Sequence, residues 1–168
     1  IEGGQLRLHP PVSAGIAFRF DQPWEGAENA YFSVFKDGET YRMYYRAYNP
    51  RAERNYVCYA ESRDGSRWVR PALGLLEING STANNAVFTP DSTQTMGGNA
   101  AVFLDRRPGI PAHERIKLVV STQLGRALVC YVSQDGKRFR RLKRHLNVLK
   151  RAFTVFASNV RKKSRRCG

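Results

Sequence analysis

The chain repeats itself. "VCYAESRDGSRW" (Val57 to Trp68) returns about seventy positions on as "VCYVSQDGKRF" (Val129 to Phe139), one residue shorter. The likeness reaches further upstream. Val34-Phe35-Lys36-Asp37 matches Val102-Phe103-Leu104-Asp105, and "TYRMYYRA" from Thr40 matches "RIKLVVST" from Arg115. Each unit holds four short runs rich in Val, Phe, Tyr and Ile, residues that suit a pleated, half-buried surface. Asp37-Gly38, Asp64-Gly65 and Asp135-Gly136 stand between such runs, and Asp-Gly supplies the positive φ that tight turns need. The aromatic three residues after the last two of these glycines (Trp68, Phe139) recurs as well.

Four strands joined by hairpins make one antiparallel meander, and a meander that recurs at a fixed period is how propeller blades show themselves in a sequence. Two halves of a sandwich are the competing arrangement. The expected fold is all-β: a partial β-propeller of two four-stranded antiparallel blades, spanning about Ala30 to Pro71 and Asn99 to Leu142, with an irregular basic C-terminal tail. The chain then divides into a lead-in segment (1–29), a first blade and linker (30–98), a second blade (99–149) and a basic tail (150–168) that is not a complete third blade. Cys58 and Cys130 hold matching places in the two repeats, which predicts separate, buried, unpaired thiols. Two blades do not close a ring, and closure is what removes exposed sheet edges. The reading therefore expects either self-association through blade edges or a fragment of a longer propeller; the opening in mid-pattern with "GGQLRLHPPV" and the sudden basic run fit a truncated or frameshifted chain, and the missing initial Met fits a lost signal or targeting segment.

Charge is unevenly placed. The 168 residues carry a net charge of +14, but 13 of the 28 basic residues lie between Lys137 and Gly168, where no Asp or Glu occurs. The rest of the chain has 15 basic and 14 acidic residues. This is a basic tract attached to a nearly neutral body. Within it, "FRRLKRHLNVLKRAF" puts Leu142, Leu146 and Leu149 at helical spacing. No run of eighteen apolar residues exists, so no membrane-spanning helix or membrane partner is expected. The compartment is not readable from these residues.

The passages "PWEGAENAYFSVFKDGETYRMYYRAY", "CYAESRDGSRWVRPALGLLEINGSTANNAVF" and "FLDRRPGIPAHERIKLVVST" resemble the five-bladed β-propeller glycosidases, the superfamily of invertases, arabinanases and β-xylosidases, and more closely an uncharacterised bacterial branch of it. The similarity runs from about Gln5 to about Leu142. It implies a hydrolase-like, carbohydrate-active propeller of which this chain holds about two blades. Glycoside hydrolysis uses two carboxyl groups flanking the sugar bond. In the superfamily these stand near the starts of the innermost strands. Here the first inner strand (Tyr31 to Lys36) is preceded by Trp24, Glu25, Glu28 and Asn29, and the second begins at Asn99, an amide where an invertase-type relative carries Asp. Glu25 and Glu28 are the weak catalytic candidates that remain, and the resemblance implies a chain inactive by itself.

For substrate contact the candidates are Trp24, Asn29, Asn84, Asn85 and Asn99: an indole that can stack on a sugar ring, and amides that can bond its hydroxyls. Trp24 serves equally as the rim of a core, and Asn79 to Asn85 equally as a solvated loop. Asp37 and Asp105 start turns. "SRDGSRW" comes close to a sialidase-type Asp box but lacks the residue between Asp and Gly, and such boxes are structural turns. His9, His113 and His145 show no ligand spacing, so no metal is expected, and no cofactor motif occurs. Three functions compete: a glycoside hydrolase-like domain; a non-catalytic carbohydrate-binding or scaffold propeller module; and binding of nucleic acid or another acidic surface, which only the basic tail supports.

Overall fold

The computed structural model describes residues 7–90, 100–121 and 128–142. The basic tail, the Leu146/Leu149 pattern and Asn99 lie outside the described residues. What is described is two four-stranded antiparallel sheets, open rather than closed, with no α-helix. The first sheet runs in the order β1 (Glu28–Asp37), β2 (Thr40–Asn49), β3 (Arg54–Ser62), β4 (Ala86–Phe88). The second runs β5 (Ala100–Leu104), β6 (Ile116–Ser121), β7 (Leu128–Ser133), β8 (Arg140–Arg141). The inner strands β1 and β5 lie side by side, and Val102 N donates to Ser33 Oγ between them at 3.2 Å. This is the propeller-like arrangement of neighbouring blades.

The fourth strand of sheet 1 is not where the sequence predicts it. The residues after the Asp64-Gly65 turn make only one isolated bridge, Glu61 with Val69. Pro71 follows, which has no N–H to donate to a ladder. The chain leaves the sheet, turns tightly at Asn79-Gly80, and returns at Ala86. Both turn residues have positive φ (53° and 80°), as a two-residue type I′ hairpin requires. In sheet 2 the fourth strand, Arg140–Arg141, follows its turn directly.

β2 is buried on both faces, which is why "YRMYYRAY" does not alternate. Tyr44 faces sheet 2 and belongs to a core cluster with Val57, Tyr59, Val87 and Phe88 of sheet 1 and Val102, Ile116, Leu118 and Val120 of sheet 2. Met43, Tyr45 and Ala47 face the other way, where Phe18, Phe20, Trp24 and Trp68 cover them. Phe18 and Phe20 meet the Tyr45 ring edge-on at 5.6 and 5.2 Å. Trp68 and Phe139 hold equivalent, half-buried places: Trp68 on the outer face of sheet 1, Phe139 on the sheet 2 face turned to sheet 1, against Tyr44.

Cys58 and Cys130 are both free and buried, but they do not match. The turns set the true alignment. Ser62 Oγ donates to Asp64 Oδ1 at 3.0 Å and Ser133 Oγ to Asp135 Oδ1 at 2.8 Å, so Ser62 corresponds to Ser133. Counting back, Tyr59 corresponds to Cys130 and Cys58 to Val129. The ladders agree, since Tyr44 pairs with Tyr59, and Val119, its counterpart, pairs with Cys130. The repeated "VCY" is thus out of phase by one residue, and one residue in a strand reverses every side chain. Tyr59 faces sheet 2, whereas Tyr131 faces sheet 1, 4.6 Å from Phe88.

Candidate functional site

The sequence candidates separate into two places. Trp24, Asn84 and Asn85 meet on the outer face of sheet 1, around a cavity of about 370 Å³ also lined by Gln22, Trp68 and Arg70. Glu25 lies beneath, fully buried. Its oxygens accept from the Tyr45 hydroxyl (2.5 Å), Arg70 Nε (2.8 Å) and Gln22 N (3.0 Å). Burial pushes the Tyr45 hydroxyl well above the usual phenol range, with the neighbouring Cys58 and Glu25 adding to the shift, so Tyr45 stays protonated and donates. Asn85 donates to Tyr45 Oη and to the Tyr59 carbonyl, and its Oδ1 accepts from Trp24 Nε1 at 2.8 Å. Asn84 donates to the carbonyls of Leu76 and Ser81 and accepts from Ala86 N. The network ties the lead-in segment and the 68–85 loop to sheet 1. Its polar atoms are engaged with one another, and Glu25 is held as the ion-paired partner of Arg70.

Glu28 and Asn29 lie elsewhere, at the upper end of the sheets, where the inner strands begin. Glu28 is exposed, 3.6 Å from Arg46 Nη2. Between Ala30 and Ser33 the β1–β2 register shifts, and Tyr31 takes the left-handed conformation with φ 54°. A bulky residue rarely adopts this conformation, and bulges re-aim side chains at strand ends. Here the Tyr31 ring is 49% exposed, with the Arg46 guanidinium 5.3 Å from its centroid.

The hydrogen-bond inventory singles out the same end. Among the described residues six buried side-chain polar atoms have no hydrogen-bond partner. One, Arg42 Nε, lies at the lower end and faces Asp37 Oδ2 at 2.8 Å as an ion pair. The other five are Asn29 Oδ1, Arg46 Nε, Asn49 Nδ2, Asn55 Oδ1 and Ser121 Oγ. The strand registers place all five at the upper end: Asn55 opposite Tyr48, which faces Glu28; Asn29 opposite Ala47; Arg46 opposite Ala30; Asn49 opposite Arg54; and Ser121 opposite Leu128. Buried polar groups are nearly always paired, so a concentration at one end asks for partners from outside these sheets.

Sequence reasoning found Glu28 and Asn29 but not Tyr31, Arg46, Asn49, Asn55 or Ser121. Nothing local marks them, because the ladder pairings collect them from four strands. Among the described residues no group of His, Cys, Asp and Glu is placed to hold a metal ion. Compared with known protein families, curated proteins and solved structures, the chain matches none.

Proposed function

We propose that this chain is the carbohydrate-contacting part of a glycoside hydrolase-like propeller, and that it binds sugar at the upper end of its inner strands without cleaving the glycosidic bond by itself. The observation that carries this reading is the set of unpartnered polar atoms at the strand end that also carries the exposed, strained Tyr31, whose ring lies against Arg46. Sugar hydroxyls both donate and accept. A mixture of amide oxygen, amide nitrogen, guanidinium nitrogen and hydroxyl suits them, and an aromatic face suits the apolar face of a pyranose or furanose ring. Cleavage would need two carboxyl groups about 5–5.5 Å apart for retention or about 6.5–9.5 Å for inversion. Glu25 is committed to Arg70 and Tyr45, and among the described residues the acids at this end are Glu28 and the exposed turn residue Glu53.

The test is calorimetric titration with neutral xylo-, arabino- and fructo-oligosaccharides, beside a reducing-sugar assay. Tyr31→Gly separates the functional from the structural role. Glycine relieves the left-handed strain, worth about 1–2 kcal/mol, so the variant should be more stable yet bind at least tenfold more weakly. Unchanged affinity in Tyr31→Gly, no binding of any of these sugars, or turnover by the 168-residue chain would each overturn the proposal.

A further inference from the structure

The contact between the two sheets is built from a turn and a receiving face. The turn is Asp135-Gly136. Arg42 Nη1 donates to the Asp135 carbonyl at 2.7 Å and the Tyr44 hydroxyl to the Gly136 carbonyl at 2.9 Å. Phe139, just after the turn, meets the edge of Tyr44. Around the turn, Phe35 and Val57 of sheet 1 pack in the shared apolar cluster.

Each half of this contact occurs a second time without its complement among the described residues. Sheet 1 carries an equivalent turn: Asp64 Oδ1 accepts from Ser66 N and Arg67 N at 2.8 Å, just as Asp135 Oδ1 accepts from Lys137 N and Arg138 N at 2.8 and 2.9 Å. A side chain at Gly136 would collide with the Tyr44 hydroxyl, whereas one at Gly65 would meet nothing closer than the Tyr41 ring at 3.8 Å. Val34, the counterpart of buried Val102 on that same face, is 54% exposed. The far face of sheet 2 repeats part of the receiving face, with Val119 and Cys130 in place of Tyr44 and Tyr59. Lys117 stands where Arg42 stands and pairs with Asp105 as Arg42 pairs with Asp37. Phe103 stands where Phe35 does, and Leu128 where Val57 does. Both are exposed, 43% and 38%, and belong to neither apolar cluster.

We propose that copies of this chain associate head to tail, with the Asp64-Gly65 turn and Val34 of one copy seated on the Phe103–Leu128 face of the next. The internal sheet–sheet contact is the template: the chain presents the turn on one side and, on the other, the Lys117, Phe103 and Leu128 part of the receiving face without the Tyr44 hydroxyl. Segment 18–24 already covers the face around Tyr45, so the new contact uses the part of that face nearer the turn. Such a contact is heterologous: it grows until rotation closes a ring, and two copies supply four sheets, about the smallest number that closes a propeller.

Light scattering on size-exclusion peaks, from micromolar to near-millimolar protein, reads the association. Salt at about 1 M screens charge beyond about 3 Å, so contacts through the basic tail drop out. The expected result is a concentration-dependent shift from the 19.1 kDa chain to twice that mass or a larger closed ring. Phe103→Glu and Val34→Glu, each with unchanged circular dichroism, should be monomers. Mixed in equal amounts they should form a one-to-one pair that grows no further, because each keeps the half the other lacks. A monomer at every concentration, or association that survives Phe103→Glu, refutes the proposal. Loss with Phe103→Glu but not with Val34→Glu refutes it too, since that pattern belongs to a symmetric sheet 2–sheet 2 contact.

Discussion

Gly65 and Gly136 occupy the same position in the two turns, with φ of 78° and 74°, and so form an internally controlled pair. Alanine at either site meets the same backbone penalty, about 1–2 kcal/mol for an L-residue in the left-handed region. The surroundings differ. An added methyl at Gly65 has the Tyr41 ring at 3.8 Å, ordinary van der Waals contact. At Gly136 it runs into the Tyr44 hydroxyl, which donates to the Gly136 carbonyl, with Arg42 and Ile116 close behind. Overpacking of that kind costs about 1–3 kcal/mol more. Gly65→Ala should therefore cost about 1–2 kcal/mol and Gly136→Ala about 2–5 kcal/mol. With a urea m-value of about 1–3 kcal/mol/M, the two midpoints should differ by roughly 1 M. The assay is urea unfolding at a dilution where the chain is monomeric, followed by tyrosine and tryptophan fluorescence. Equal midpoints for the two variants would mean that the Asp135-Gly136 turn is not seated against Tyr44, and the account of how the sheets join would fall with it.

Two further outcomes follow from the ion pairs. Glu25→Ala leaves the Tyr45 hydroxyl without its acceptor in a buried site and leaves Arg70 only the Arg19 carbonyl and the exposed Asp21, so it should cost about 1–3 kcal/mol; a loss under about 1 kcal/mol in the same urea assay would show that Glu25 does not hold the lead-in segment. Burial alone would raise the Asp37 carboxyl, but hydrogen bonds and charge from Arg115 and Arg42 outweigh it and hold the group below its ordinary value. A depressed folded-state pKa contributes stability above the unfolded value of about 3.9, and that contribution is lost as pH falls through the folded value. Asp37→Asn should therefore be less stable than the parent at pH 6, with the gap closing below about pH 4; parallel thermal midpoints from pH 6 to 2 would contradict this.

The all-β fold and the two sheets were legible because their causes are local. Val, Tyr and Phe runs and Asp-Gly turns act within a few residues, and a repeated unit repeats them, whereas the Asn79-Gly80 hairpin that delays the fourth strand of sheet 1 was read only as a loop. Cys58 and Cys130 are free and buried as expected, although the matching places that carried the expectation are one residue out of phase. What the sequence could not supply was phase. Val57-Cys58-Tyr59 and Val129-Cys130-Tyr131 are identical as letters, yet they point to opposite faces, because the Ser-x-Asp-Gly turns and not the matching letters anchor the ladders. A period of two makes a one-residue offset a complete reversal. The same limit applied to the acids and amides. Glu25 and Asn85 read as site residues in the chain, but tertiary packing turned them inward onto Tyr45, because a buried carboxylate is stable only where donors surround it. Tyr31, Arg46, Asn49, Asn55 and Ser121 carry no shared motif. Pairing across two sheets, decided by side-chain packing over the whole domain, brought them to one end.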